Sequence, residues 1–293
     1  MLEHLNATPA DPARVVILGA SGFVGAATHS LLTLHGIATL PLGSKDVDLL
    51  AKDAAERLRR TLQPTDSLLV ISAAAPCKNH SMLADNINMM APVCAALEHV
   101  EVAHVVYVSS DAVYRDSRAP MDENACAEPG SLHGAMHLAR ELMLKAMVRD
   151  ALAILRPTLI YGAADPHNGY GPNRFRRLAE AGDDIVLFGE GEEQRDHVLI
   201  DDVAELIVRV LRHRSAGILN VATGQVHSFR SIAEQIVRLS GARVQVRGTP
   251  RVGPMPHGGY RAFDAAATHA AFPDFRYTSL AVGLARAAKH RNA

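Results

Sequence analysis

Apolar residues in the first half of the chain come in short unbroken runs, separated by stretches of helical period. Arg14 to Leu18 (RVVIL), Ser67 to Ser72 (SLLVIS) and His104 to Ser109 (HVVYVS) are too short for helices and rich in β-branched residues. Such runs read as strands buried on both faces. Ile37 to Leu42 and Ala153 to Tyr161 (AILRPTLIY) read as two more. Helices are predicted over Val24 to His35, Ala51 to Leu62, Asn86 to Leu97 and His133 to Val148. This alternation predicts a doubly wound parallel α/β sheet, Rossmann-like, with helices on both faces.

After Tyr161 the texture changes. Residues 162 to 175 are rich in Gly, Pro and Asn, a stretch long enough to be a binding loop rather than a connector. A helix, a short strand (Ile185 to Phe188), a Gly-Glu-Gly turn and a helix from about Asp201 follow. Beyond Ser228 come a helix, a strand (Val244 to Val246) and a Gly/Pro-rich loop through Gly259. The pattern predicts a dinucleotide-binding domain from 1–157 and 197–224, interleaved with a smaller C-terminal substrate lobe from 158–196 and 225–293.

Charge nearly balances, 30 Lys+Arg against 31 Asp+Glu, with no basic block. That excludes nucleic acid and anionic membrane as expected partners. The first twelve residues carry charges and a proline, unlike a signal peptide, and no apolar stretch has the roughly 20 residues that span a bilayer. Cys77, Cys94 and Cys126 are too few and too unevenly spaced for a disulfide framework or a zinc knuckle. The expectation is a soluble cytoplasmic protein with free thiols and no metal.

The first strand runs into Gly19-Ala-Ser21-Gly22-Phe23-Val24-Gly25, spaced G-x-x-G-x-x-G, and then into a helix. Glycines there let the backbone turn tightly and approach a pyrophosphate, whose charge sits at the helix N-terminus. The second strand ends Leu42-Gly43-Ser44-Lys45, with no acid before Asp46. A hydroxyl and a cation at that place favour NADP, with NAD the alternative.

Further motifs give these features a family. Val105-Val-Tyr-Val-Ser-Ser110-Asp111-Ala-Val-Tyr114, Leu155-Arg-Pro-Thr-Leu-Ile-Tyr-Gly162, Gly171-Pro-Asn173-Arg174-Phe175 and Gly189-Glu-Gly…Arg195-Asp196…Asp202-Val-Ala follow in order, with Pro250-Arg251-Val-Gly-Pro-Met-Pro256 and Arg261-Ala-Phe-Asp264 late in the chain. From Arg14 to Leu284 the chain resembles the extended short-chain dehydrogenase/reductases, the NAD-dependent epimerases and dehydratases of nucleotide sugars. The resemblance implies that Asp48-Leu49 borders the adenine and that Ala73 and Ala74 lie against the cofactor ribose. It implies that Ser110 hydrogen-bonds the reacting sugar oxygen. Asn173 and Arg174 would touch the nucleotide diphosphate, and Arg195 and Arg251 would clamp it, since guanidinium donates to phosphate bidentately. Asp111 stands where dehydratases carry the acid of a Thr-Asp-Glu. Ala112 replaces the glutamate, which argues against dehydration.

The departure falls at the chemical centre. The family's Tyr-x-x-x-Lys is here His133-Gly-Ala-Met-His137, and no tyrosine stands four places before a lysine anywhere in the chain. An imidazole titrates near pH 6.5, so His133 needs no adjacent cation to act as a base at neutral pH. His137 would hydrogen-bond the ribose in place of lysine. Two other readings stay open: a retired site that only binds dinucleotide or nucleotide sugar, as a sensor or regulatory protein, and a metal held by histidines at i and i+4. The expected function is NAD(P)-dependent 4-keto reduction or 4-epimerisation of a nucleotide-diphosphate sugar, with reduction slightly ahead. Leu138, Leu142, Met143 and Met147 on the His133 helix would support a homodimer or face the sheet.

Overall fold

The computed structural model describes residues 2–289. The chain begins with a short strand β1 (Glu3–His4), followed by β2 (Arg14–Leu18), α1 (Phe23–Leu34), β3 (Thr39–Leu42), α2 (Ala54–Thr61), β4 (Asp66–Val70), α3 (His80–Leu97), β5 (His104–Val108), α4 (Leu132–Met147) and β6 (Leu152–Pro157). Next come β7 (Leu159–Tyr161), α5 (Pro172–Ala181), β8 (Ile185–Phe188), β9 (Gln194–Leu199), α6 (Ile200–Arg212) and β10 (Ser215–Val221). The chain closes with β11 (Val226–Ser228), α7 (Phe229–Ser240), β12 (Val246–Thr249), β13 (Tyr260–Arg261), α8 (Ala266–Ala271) and α9 (Leu280–Lys289).

Seven strands form the central sheet in the order β1-β10-β6-β5-β4-β2-β3, all parallel except β1. The path runs outward from β2 to β3 and then restarts at β4 on the other side of β2. Ligands bind at such a reversal, beyond the carboxyl ends of the strands. Alternate residues of each strand serve two cores. Val15, Ile17, Leu69 and Val106 pack with α1 and α6, whereas Val16, Leu68, Val70, Val105 and Tyr107 pack toward α2, α3 and α4. Tyr107 thereby faces the helix that carries His133 and His137.

The single strand expected over Ala153 to Tyr161 is two. Thr158 breaks the run: its N–H donates to Val221 O and its hydroxyl donates to Asp196 Oδ1 at 3.2 Å. The chain then leaves the main sheet, and β7 pairs with β9 in a second sheet. That sheet, the β8–β12 pair and helices α5 and α7 enclose a separate core around Tyr161, Phe175, Leu187 and Phe229. Phe272 and Phe275, late in the chain, insert instead into the core under the main sheet. Helix α3 starts earlier than its apolar period suggests, because Asn79 caps it by accepting from Met82 N–H. Pro172 opens α5, so Asn173 and Arg174 stand in a helical first turn rather than in a loop.

Candidate active site

A cleft of about 810 Å³ opens over the carboxyl ends of β2, β4 and β5. Its wall contains Gly19, Ser21, Gly22, Phe23 and Val24 from the first turn, Ser44, Asp48 and Leu49 after β3, and Ala73 after β4. Ser110, Asp111, His133, His137, Asn173 and Arg195 line it as well. Gly25, Lys45, Ala74, Arg174 and Arg251 do not.

The glycine turn has the shape a pyrophosphate requires. Gly19 adopts φ +94°, and a β-carbon on it would stand 2.7 Å from Ser72 N. One on Gly25 would stand 2.1 Å from Gly19 O, so Gly25 acts by letting α1 pack against the turn rather than by touching a ligand. No acid occupies the first turn of α1, which leaves its positive end open to an anion. Ala74 is clamped by Asn86, whose amide accepts from Ala74 N–H at 2.9 Å and donates to Ala74 O at 3.0 Å. Ala73 is presented to the cleft by that clamp. After β3, Lys45 points to solvent, whereas the Asp46 carboxylate accepts from Gly43 N–H at 2.8 Å. A β-carbon on Gly43 would lie 3.5 Å from both that carboxylate and Ser21 Oγ, so an acid stands at this corner after all.

At the centre, Ser110 caps a short 3-10 turn at Asp111–Val113. Its hydroxyl accepts from Ala112 N–H at 3.1 Å and donates to Asp111 Oδ1 at 3.3 Å. Arg261, 1% exposed, fixes Asp111 by donating from Nε to Oδ2 at 3.1 Å and from Nη2 to the main-chain oxygen at 2.5 Å. Helix α4 lies against this turn at Gly134, where a β-carbon would come within 2.0 Å of Ala112 O. That close approach delivers His133 to Ser110 and Asp111.

The two histidines are in contact, ring edge to face, with centroids 4.7 Å apart. Cys77 N–H donates to His133 Nδ1 at 3.4 Å. In the neutral ring the proton is then on Nε2, and the basic lone pair on Nδ1 is occupied by Cys77 N–H until that contact is released. The length of the Cys77 contact keeps that release cheap. Burial pushes the His133 pKa below its ordinary value, and the Asp111 carboxylate works against the shift. His137 is buried, and its Nδ1 lies 2.8 Å from the Tyr107 phenol. The Tyr107 phenol has no other hydrogen-bond partner among the described residues, so it donates and His137 carries its proton on Nε2. Burial, with His133 and Arg140 adding, holds the His137 pKa well below the ordinary value. The Arg140 guanidinium lies 5.3 Å from the centroid of the Tyr107 ring and donates to Ser72 O at 2.7 Å. It has no carboxylate partner among the described residues, so this part of the site contains one uncompensated buried cation. Tyr107, Arg140 and Cys77 escape a reading by motif because their roles depend on strand facing and on a main-chain N–H.

Of the residues expected at the diphosphate, Asn173 faces the cleft with its amide already engaged: it accepts from Gly162 N–H at 3.1 Å and donates to Asp165 Oδ2 at 2.5 Å. Arg195 faces the cleft with Nη1 3.2 Å from Glu193 and Nη2 3.9 Å from Asp111. Arg251 is held elsewhere, donating to Glu192 at 3.1 Å and to Phe188 O at 3.3 Å, and Arg174 is exposed on α5. His133 and His137 belong to no cluster of three or more metal-ligating side chains among the described residues.

The profile of the NAD dependent epimerase/dehydratase family matches residues 15–222. A dTDP-L-rhamnose 4-epimerase of Burkholderia thailandensis is 24% identical, over 87% of this chain and 89% of its own. An undecaprenol-linked N-acetylglucosamine 4-epimerase of Escherichia coli O157:H7 is 30% identical over 43% of this chain and 38% of its own. Among solved structures, MoeE5 in complex with UDP-glucose and NAD superposes with a TM-score of 0.82 at 21% identity, covering 97% of this chain and 99% of that one. UDP-glucuronic acid 4-epimerase from Bacillus cereus, with UDP-glucuronic acid and NAD, gives 0.80 at 18% identity, covering 95% and 99%.

Proposed function

Since the chain belongs to the NAD dependent epimerase/dehydratase family, we propose that it is an enzyme that acts on a nucleotide-diphosphate sugar by reversible hydride transfer at the sugar's 4-position. The observation that carries the reading is the convergence of Ser110, His133 and His137 on the cleft that the Gly19–Gly22 turn also lines. We place 4-epimerisation ahead of 4-keto reduction. The lead given to reduction rested on NADP, and the corner after β3 supports NAD instead: Lys45 is exposed and outside the cleft, and the Asp46 carboxylate accepts from the main-chain N–H of Gly43, which lines the cleft. NAD is also the dinucleotide in the complexes of the two structural relatives.

When bound, NAD would supply the hydride acceptor and donor. Gly19, Gly22 and the start of α1 would hold its pyrophosphate, and His137 would donate Nε2–H to its ribose, a role that needs no charge. Ser110 turns its hydroxyl from Asp111 to the sugar's 4-oxygen, giving up only a 3.3 Å hydrogen bond. His133, after releasing Cys77 N–H, takes the 4-hydroxyl proton, and the resulting imidazolium is stabilised by the Asp111 carboxylate. Arg195 binds the diphosphate. In this reading 1–157 with 197–224 serves the cofactor and 158–196 with 225–293 the substrate. The protein works in the cytoplasm as a homodimer through α3 and α4, where Leu142 and Met147 remain exposed while Leu138 and Met143 pack inward. No helix among the described residues is long and apolar enough to cross a membrane.

The Cys77 contact on His133 is the observation on the side of a silent binder. Titrating NADH by fluorescence, alone and with UDP-, dTDP- and GDP-sugars, tests the reading. Saturable binding that a nucleotide sugar tightens is expected, and absence of dinucleotide binding at micromolar protein overturns it.

A further inference from the structure

His197 lies on β9 two residues after Arg195, and both line the cleft because alternate strand residues share a face. Its ring is 3% exposed, with Nδ1 3.1 Å from the carbonyl oxygen of Arg195. A carbonyl only accepts, so Nδ1 carries the proton, and a neutral imidazole has no second one to give. Burial, with the Arg195 charge beside it, pushes the ring's pKa down to about 3, so it is neutral at any working pH. Nε2 is therefore a bare lone pair, and it has no hydrogen-bond partner among the described residues. Buried polar atoms are rarely left in that condition unless something else completes them.

Nε2 is itself buried, and two neighbours pack against the ring. The ring stands edge-on to Phe229 with centroids 5.6 Å apart, so the stack fixes its orientation. On the other side is Gly171, the residue before α5, at φ +135°. A β-carbon there would stand 3.9 Å from Nε2 and 3.4 Å from Phe229, so any side chain at position 171 would begin to cover the nitrogen. Gly171 and His197 both line the cleft, so the buried nitrogen lies at the cleft wall beside a turn with no side chain to move aside.

We infer that His197 is a specificity-determining residue whose Nε2 accepts a hydrogen bond from a neutral O–H or N–H of the nucleotide sugar at the Gly171 turn. The inference rests on the functional reading above. A diphosphate offers only acceptor oxygens, which a lone pair repels, whereas hydroxyls and amides can donate. Arg195 and His197 thus present a donor and an acceptor side by side on one strand, roughly 7 Å apart by the strand repeat. The pair reads a phosphate next to a hydroxyl or amide, in one orientation only.

The test is calorimetric titration of UDP, UDP-glucose and UDP-N-acetylglucosamine, in two buffers of different ionisation enthalpy, into the wild type, His197→Phe and His197→Gln. NADH is titrated in parallel. Phe preserves the stack on Phe229 and removes the acceptor, while the Gln amide oxygen accepts at similar reach. The expected result is a loss of about tenfold in UDP-glucose affinity in His197→Phe, the worth of one hydrogen bond. His197→Gln recovers most of it, and NADH binding changes less than twofold. A loss shared by UDP puts the donor on the nucleoside; a loss confined to the sugar-bearing ligands puts it on the sugar. Wild-type affinity in His197→Phe overturns the inference. So does proton uptake on binding that His197→Phe abolishes, since that would mean a charged imidazole on phosphate. If no ligand but NADH binds the wild type, the functional reading itself falls and takes this inference with it.

Discussion

Tyr107 and His137 share a buried hydrogen bond of 2.8 Å, phenol oxygen to Nδ1, that joins the central sheet to the helix bearing the candidate catalytic pair. It fixes the tautomer in which His137 offers Nε2–H, the one donor a neutral ring needs to stand in for lysine. Tyr107→Phe removes the phenol and leaves a buried lone pair, a cost of about 1–3 kcal/mol. The expected outcome is a lower Tm together with weakened NAD binding on the order of tenfold. Full retention of NAD affinity would show that the tautomer is set by something else.

With His133 as the base of the proposed function, the working form is the neutral ring, so activity is predicted to fall as pH drops through the pKa of His133. Burial places that pKa below 6.5, and the Asp111 carboxylate limits the displacement. A kcat/KM profile should therefore be flat at neutral pH with an acid limb centred below 6.5. Asp111→Asn removes the opposing charge and moves the limb to still lower pH. A limb that stays in place in His133→Gln belongs to another group.

Gly134 sets the distance between α4 and the Ser110 turn. A methyl group there would meet Ala112 O at 2.0 Å and the Pro129 ring at 2.7 Å, neither of which is a flexible side-chain end. Gly134→Ala should shift α4 and pull His133 away from Ser110, at about 1–3 kcal/mol for overpacking. The expected readout is a fall in kcat larger than the fall in NADH affinity, measured on the folded fraction.

Asp46 is the place to test the NAD reading. Wild type should bind NADH more tightly than NADPH, and Asp46→Asn should narrow the gap by on the order of tenfold, chiefly by improving NADPH, as expected for removing one charge near a phosphate. A wild type that prefers NADPH would restore the weight given to Ser44 and Lys45.

The strands were legible in the sequence because a buried parallel strand is a continuous apolar run, and RVVIL and SLLVIS are little else. The same continuity hid which residue faces which layer, so Tyr107 in HVVYV gave no sign of its contact with His137. The break at Thr158 was invisible for a similar reason: AILRPTLIY is β-prone throughout, and only pairing with β9 divides it. Glycine spacing located the tight turn after β2, since close backbone approach there tolerates no other residue. Long cationic side chains were the poorest guide. Arg174, Arg251 and Lys45 match motifs, yet reach in a guanidinium or an amine leaves the final direction to neighbours such as Glu192, which no local pattern specifies.

In the proposed function, His133 and His137 take over the proton chemistry of the family's Tyr-x-x-x-Lys. The most direct test is a single-turnover measurement: protein loaded with NAD is mixed with UDP-, dTDP- and GDP-sugars, and the near-ultraviolet absorbance of reduced nicotinamide is followed. Transient reduction by at least one nucleotide sugar is expected in the wild type, and its loss in His133→Ala. Reduction that persists undiminished in His133→Ala, or none in a wild type that binds both ligands, would contradict it.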